Sequence, residues 1–182
     1  MSNITNSLKW LPITHLTTDY NDKFMLKQAY TYAGGSPDPR TKNGAVLVNS
    51  EKFIIGYSAN RFPRRVQETT ERLNNRKIKL QIIVHAEHAA ILHAARFGKA
   101  TTESTLYCPF YACNECSKAI IEAGIVRVVG HAQLMSKASD HTEWVKSIIL
   151  GWQLMIEAGV ECCLYDGYLG LSTRFNGKDI VI

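Results

Sequence analysis

Three times in the second half of the chain, an alanine-rich or amphipathic run closes on a glycine and a short apolar run follows. "HAEHAAILHAARFG" leads into "STLYCPF", "CNECSKAIIEAG" into "IVRVVGHA", and "TEWVKSIILGWQLMIEAG" into "VECCLYD". Glycine tolerates the left-handed backbone on which many helices end. A short apolar run bounded by turn signals reads as a buried strand. The pattern therefore predicts helices closing at Gly98, Gly124 and Gly159, each followed by a strand, with Thr142 capping the last helix. Upstream, "DYNDKFMLKQAYTYA" places Phe24, Leu26, Ala29, Tyr30 and Ala33 at helical spacing, and "GGSPDPR" ends that helix. "GAVLVNSEKFIIGYSA" reads as two strands joined by a turn at Asn49–Lys52. This order predicts an α/β fold, a three-layer α/β/α sandwich around a mixed five-stranded sheet.

The polar, basic stretch "NRFPRRVQETTERLNNRKIKLQ" interrupts that order as an insertion, or as a loop with a short helix, on the surface near the site. No repeat, low-complexity tract or long linker divides the 182 residues, so residues 1–182 are expected to form one domain. Its core spans about 22–130, and a C-terminal helix and strand fill about 142–182. Hydrophobic residues make up 46% and charged residues 20%, the balance of a globular chain. The net charge of +5 suits anionic partners such as nucleotides, nucleic acid or phosphate, a modest indication by itself. Aromatics are not interleaved with Lys and Arg as a polynucleotide track requires, so a nucleic-acid partner is not expected. "MSNITNSLKWLPITHLTTDY" lacks the pattern of a signal peptide, and no apolar run reaches membrane-spanning length. A cytoplasmic location with reduced thiols is expected. Of the five cysteines, Cys113 and Cys116 form a Cys-x-x-Cys, which in such a compartment indicates metal or redox chemistry.

Alone, that pair could be half of a structural zinc site or a redox dithiol. His85 and Glu87 upstream narrow the reading. Zinc takes N and S donors in a tetrahedron, and a catalytic site keeps one position open. His85 at one helix start, with Cys113 and Cys116 at another, supplies three donors. Glu87, two residues on, is placed to move protons from a zinc-activated water. A structural site has no use for that carboxylate. His-x-Glu followed by Cys-x-x-Cys is the signature of zinc deaminases.

Four stretches, "NGAVLV", "IIGYSANRFPRRV", "VHAEHAAILHAAR" and "TLYCPFYACNECSKAIIEAGIVRVV", carry a resemblance covering about Asp22 to Val129. The chain resembles the zinc-dependent cytidine/deoxycytidylate deaminase superfamily, closest to the deoxycytidylate (dCMP) deaminases of bacteria and phages. The resemblance implies a cytidine deaminase-like fold and one catalytic Zn2+ per subunit held by His85, Cys113 and Cys116. It implies hydrolysis of dCMP to dUMP and ammonia, with Glu87 as proton shuttle, supplying dUMP for thymidylate synthesis. It places Asn60 near the sugar, the backbone of Gly44 and Ala45 against the pyrimidine, and Ala86 beside the substrate. It also implies a homo-oligomer, with dCTP and dTTP as effectors near "GYSANRFP". Two residues depart from the family pattern: Ala112 stands where proline precedes the first cysteine, and Ala89 where an asparagine follows His-Ala-Glu. These departures leave room for another or modified nucleotide, or a nucleic-acid base, as substrate. A non-catalytic zinc-stabilised binding protein is the alternative of a different class.

Around this centre, Arg61, Arg64 and Arg65 are candidates for gripping a phosphate, with a solvated loop as the bland alternative. Tyr111, with Phe110, is a candidate for stacking on the base or gating the pocket, with packing as the alternative. His88 and His93 read as ordinary helix residues, and His131 and His141 as minor rim candidates. Cys108 reads as a buried thiol, and Trp144 with Trp152 as a core or interface stripe on one helix.

Overall fold

The computed structural model describes residues 8–12, 15–138 and 142–182. Its elements in chain order are β1 (His15–Thr17), α1 (Tyr20–Ala33), β2 (Gly44–Val48), β3 (Ile54–Ala59), α2 (Thr70–Asn74), α3 (Arg76–Ile82) and α4 (Ala86–Arg96). Then come β4 (Thr105–Tyr107), α5 (Asn114–Glu122), β5 (Arg127–His131), α6 (Ala132–Met135), α7 (Glu143–Glu157), β6 (Glu161–Tyr165), β7 (Ser172–Phe175) and β8 (Lys178–Val181).

The main sheet runs β1-β6-β5-β4-β2-β3. Its first four strands are parallel, and β2 and β3 are antiparallel to their neighbours. It is the expected mixed sheet with six strands rather than five. The extra strand, β1, is three residues of "HLT" joined to the edge of β6. So short and polar a segment shows no period, and its strand character comes from the neighbour it pairs with. A second two-stranded sheet, β7 and β8, turns through Asn176 and Gly177, both with positive φ (52° and 80°). Asn-Gly is the strongest short hairpin signal a sequence offers.

Gly98, Gly124 and Gly159 have φ of 63°, 69° and 79°, the left-handed stops expected of them. Thr142 caps α7 by accepting the Val145 N–H (3.2 Å), and Asp19 caps α1 in the same way. Helices cover both faces of β2 and β3. A Cβ on Gly44 would collide with the α1 backbone at Ala29 and Ala33, and one on Gly56 with the α4 backbone at Ala90. Gly56 pairs with Leu47, an odd number of residues from Gly44, so strand alternation sends the two contacts to opposite faces. The basic insertion folds as α2 and α3. It is pinned by Lys79, whose ammonium lies 2.8 Å from both carboxylate oxygens of Asp38, with both side chains buried. Among the described residues, no helix is long and apolar enough to cross a membrane.

Candidate metal centre

Strand β4 ends at Tyr107, and the next residues lead directly into α5. Because β4 is antiparallel to β2, and β2 to β3, the end of β4, the start of β2 and the end of β3 lie at one edge of the sheet. The N-termini of α4 and α5 meet there. His85 and Cys113 are the N-cap residues of these helices, and neither side chain bonds its own helix start. Both are thereby left facing the gap, and the positive helix ends favour thiolate there.

Nδ1 of His85 lies 3.4 Å from Sγ of Cys113 and 3.4 Å from Sγ of Cys116. All three donor atoms fall within 4.8 Å of one another. Bonds of about 2.0–2.3 Å meeting at a tetrahedral angle separate N and S donors by roughly 3.6 Å. The three donors thus fit a zinc ion with a fourth position open. The two helices are also tied through sulfur, since Cys116 accepts the His88 N–H. The hydrogen bond between the two thiols holds Cys113 well below the ordinary thiol range, helped by His85, and pushes Cys116 up. Burial opposes charge on His85, but the Cys113 hydrogen bond and the charge of Glu87 outweigh it and raise its pKa.

Glu87 stands in the first turn of α4 and is 3% exposed. Its Oε2 has no hydrogen-bond partner among the described residues. Burial pushes its carboxyl up to about 7, against the pull of His85. A carboxyl near neutrality with a free oxygen beside three metal donors can both take and release a proton.

The other candidates fall into three groups. At the sheet edge, Asn60 is buried, with Oδ1 accepting the Asn43 N–H (2.9 Å) and Nδ2 donating to Thr41 O (2.9 Å). Its amide shapes the loop at the mouth, and one lone pair and one N–H are left over. Asn43 then clasps the loop before the cysteines, donating to Phe110 O and accepting the Phe110 N–H (both 3.2 Å). Ala45 and Ala86 are fully buried, Ala45 on the face of β2 that α4 covers.

Two candidates are shaped by the core. Gly44 is glycine because α1 presses on it, so its missing side chain permits the close approach of a helix, while its backbone stands at the start of β2 beside Ala45. Tyr111 is fully buried, donates its hydroxyl to Val128 O (3.1 Å) and packs its ring 4.2 Å from Trp152. It is a core residue, and an aromatic without solvent contact neither stacks on a base nor gates a pocket.

The arginines form the third group. Arg61, Arg64 and Arg65 are joined by Arg96 around a cavity of about 420 Å³, with Glu68 on its wall. Arg61 begins this loop beside the centre, pairing its backbone with Val84, but Arg96 closes it at the far end of α4. That end is roughly 15 Å along the helix axis from His85.

Among the remaining residues, His93 packs between Tyr57 and Phe97, and His88 is exposed. His131 is fully buried between the Tyr30 hydroxyl (2.8 Å) and Gly167 O (3.0 Å), so it forms no rim; His141 lies outside the described residues. Cys108 is buried outside the donor cluster, and its sulfur accepts the Ala112 N–H, a donor that proline would lack. The tryptophans do not form one stripe. Trp152 is fully buried, whereas Trp144 is 38% exposed and stands edge-on to His85, with centroids 5.0 Å apart. Eight residues of helix leave side chains about 80° apart, and that offset is the sequence signal separating them.

Comparison with known proteins agrees with this geometry. The family profile described as "Cytidine and deoxycytidylate deaminase zinc-binding region" matches residues 19–132. A probable deoxycytidylate deaminase of Drosophila melanogaster is 29% identical over 138 residues, covering 69% of this chain and 67% of that protein. The deoxycytidylate deaminase of Homo sapiens is 32% identical over 117 residues, covering 59% of this chain and 62% of that one. The apo dCMP deaminase of cyanophage S-TIM5 shares the fold, with a TM-score of 0.60 at 23% identity over 79% of this chain and 95% of that one. With more than half its length matched by the profile, the chain belongs to the cytidine and deoxycytidylate deaminase zinc-binding family.

Proposed function

We propose that this chain hydrolytically deaminates a free cytosine nucleotide, converting dCMP to dUMP and ammonia and so supplying dUMP for thymidylate synthesis. The observation that carries this reading is Glu87, a buried carboxyl near neutrality whose Oε2 has no partner among the described residues, beside three zinc-type donors. The names of the human and fly relatives support dCMP as substrate. A zinc ion held by His85, Cys113 and Cys116 would supply a water of near-neutral pKa.

Glu87 does the proton work. It takes a proton from the attacking water as the water oxygen bonds to C4 of the ring, and delivers that proton to N3. Glu87 then takes the proton of the new C4 hydroxyl and passes it to the exocyclic nitrogen; the C4–N bond breaks as the C4 carbonyl forms, and ammonia departs. The buried setting of Glu87 keeps bulk water from short-circuiting these transfers. The clasp of Asn43 and Asn60 on the loops at the mouth supports a site shaped before substrate arrives.

The arginine pocket suits phosphate, since guanidinium binds its oxygens bidentately. Its extension to the far end of α4 favours a regulatory triphosphate, dCTP or dTTP, over the phosphate of a substrate whose base reaches the metal. A homo-oligomer in the reducing cytoplasm belongs to the same reading, and the free cysteines are consistent with it.

Metal analysis together with ammonia release tests the proposal. The substrates are dCMP, CMP, dCTP, deoxycytidine, 5-substituted dCMPs and single-stranded DNA, with Glu87→Ala as control. The expected result is one zinc per chain and ammonia from dCMP, lost in the variant. Zinc retained with no ammonia from any substrate sinks the enzyme reading and leaves a zinc-stabilised binding protein.

A further inference from the structure

We infer that α7 is an outer clamp on the metal centre, with Trp144, Ser147 and Gly151 acting as positioning residues for His85 and Cys113. This rests on the zinc reading above. The three residues recur at steps of three and four along the helix, so they share one face. Each touches a segment that carries a donor.

Trp144 sets its indole edge-on to the His85 imidazole, with centroids 5.0 Å apart and planes at 74°. Ser147 Oγ accepts the N–H of Asn114 at 3.2 Å. That amide, next to Cys113, is one of the α5 donors with no partner inside its own helix. Gly151 lets α7 lie directly on the cysteine turn. An added Cβ would stand 3.1 Å from both the Cys113 carbonyl carbon and the Asn114 nitrogen, and would strike Ser117 Oγ. The Ser117 hydroxyl itself donates to Cys113 O at 2.9 Å.

The physical need is clear from His85. Its Nδ1 faces the sulfurs, and a ligating imidazole binds well only when the rest of the ring is held in orientation. A carboxylate or carbonyl commonly does this; here the edge-on contact with an indole does it. Cys113 likewise depends on a fixed first turn of α5, which Ser147 and Gly151 brace from outside. Helix α7 lies beyond residues 19–132, so the clamp is supplied by a part of the chain that the family profile does not match.

The test compares full-length wild type with Trp144→Ala, Trp144→Phe, Ser147→Ala and Gly151→Ala. Three quantities are read: zinc bound per chain, the rate of zinc transfer to a chromogenic chelator, and the visible spectrum of the cobalt-substituted protein. Trp144→Ala and Gly151→Ala are expected to weaken zinc retention roughly 10- to 100-fold and to shift the cobalt bands. Trp144→Phe restores most of the retention, because an aromatic edge still reaches His85. Cobalt loading quenches tryptophan emission in wild type, and more weakly in Trp144→Phe. Should Gly151→Ala fail to fold, the partly exposed Trp144 position and Ser147→Ala carry the test. Unchanged zinc transfer and cobalt spectra in a metal-binding protein overturn the clamp and leave the deaminase reading standing. A wild type that takes up neither zinc nor cobalt overturns both.

Discussion

Asp22 and Glu87 are both buried carboxylates in the first turn of a helix, α1 and α4 respectively, yet their surroundings are opposite. Asp22 receives two N–H groups of Arg127 (2.7 and 2.8 Å), the Thr17 hydroxyl (2.8 Å) and the Tyr107 hydroxyl (3.0 Å). Burial pushes its pKa up, but these donors and the arginine charge outweigh it and hold it below the ordinary value. Glu87 has an oxygen with no partner among the described residues, and burial carries the carboxyl to about 7. Residue class, burial and helical position are thus shared, and the donors and neighbouring charges differ. A buried anion saturated with donors joins strands and helix, whereas one left unsatisfied is ready to exchange a proton.

Glu87→Gln attacks the contrast most directly. Ammonia release should fall about 10²- to 10⁴-fold. Unfolding free energy should hold or rise, because a strained carboxyl is replaced by a neutral amide. A variant that loses stability and keeps activity would make Glu87 a structural residue and erase the distinction. Asp22→Ala should do the reverse, costing about 3 kcal/mol in denaturant unfolding with little change in kcat per folded molecule. The cost sits at the low end for a buried pair because Arg127 keeps Glu161 at 3.1 Å and reaches solvent.

Lys79→Met tests whether the other enclosed pair, Asp38–Lys79, belongs with Asp22. About 2 kcal/mol should be lost, since Asp38 still accepts the Arg40 and Thr41 N–H groups. Hydrogen exchange should report the loss in α3 first. The smallest effect is on acid titration. The lowered pKa of Asp22 contributes stability that is present above its ordinary value of 3.8 and lost as pH falls through its native value. Denaturation curves of Asp22→Asn should lack that step; an unchanged curve would separate the acid sensitivity of the fold from this cluster.

The parts legible in the sequence were those whose physics is local. Gly98, Gly124 and Gly159 mark helix ends because a left-handed turn is a property of a few residues. His85, Glu87, Cys113 and Cys116 announce a centre because their donor chemistry and spacing suit few other uses. What could not be read depends on direction or on distant partners. Gly44 is at the right place on β2, but its missing side chain faces α1. Tyr111 is two residues from a candidate ligand and points into the core toward Trp152. The Asn176-Gly177 hairpin is a different case, since its signal is local and plain.

Strand β1 carries a consequence for the order in which the molecule is made. Residues 15–17 leave the ribosome early, but their register is with residues 163–165 of β6. The segments that form the metal centre, 85–116, emerge well before that partner. A nascent chain can therefore gather its donors while one border of the sheet is still open. Closing that border requires a long loop closure, which is slow, so β1 should dock only after the segments of the metal centre have emerged.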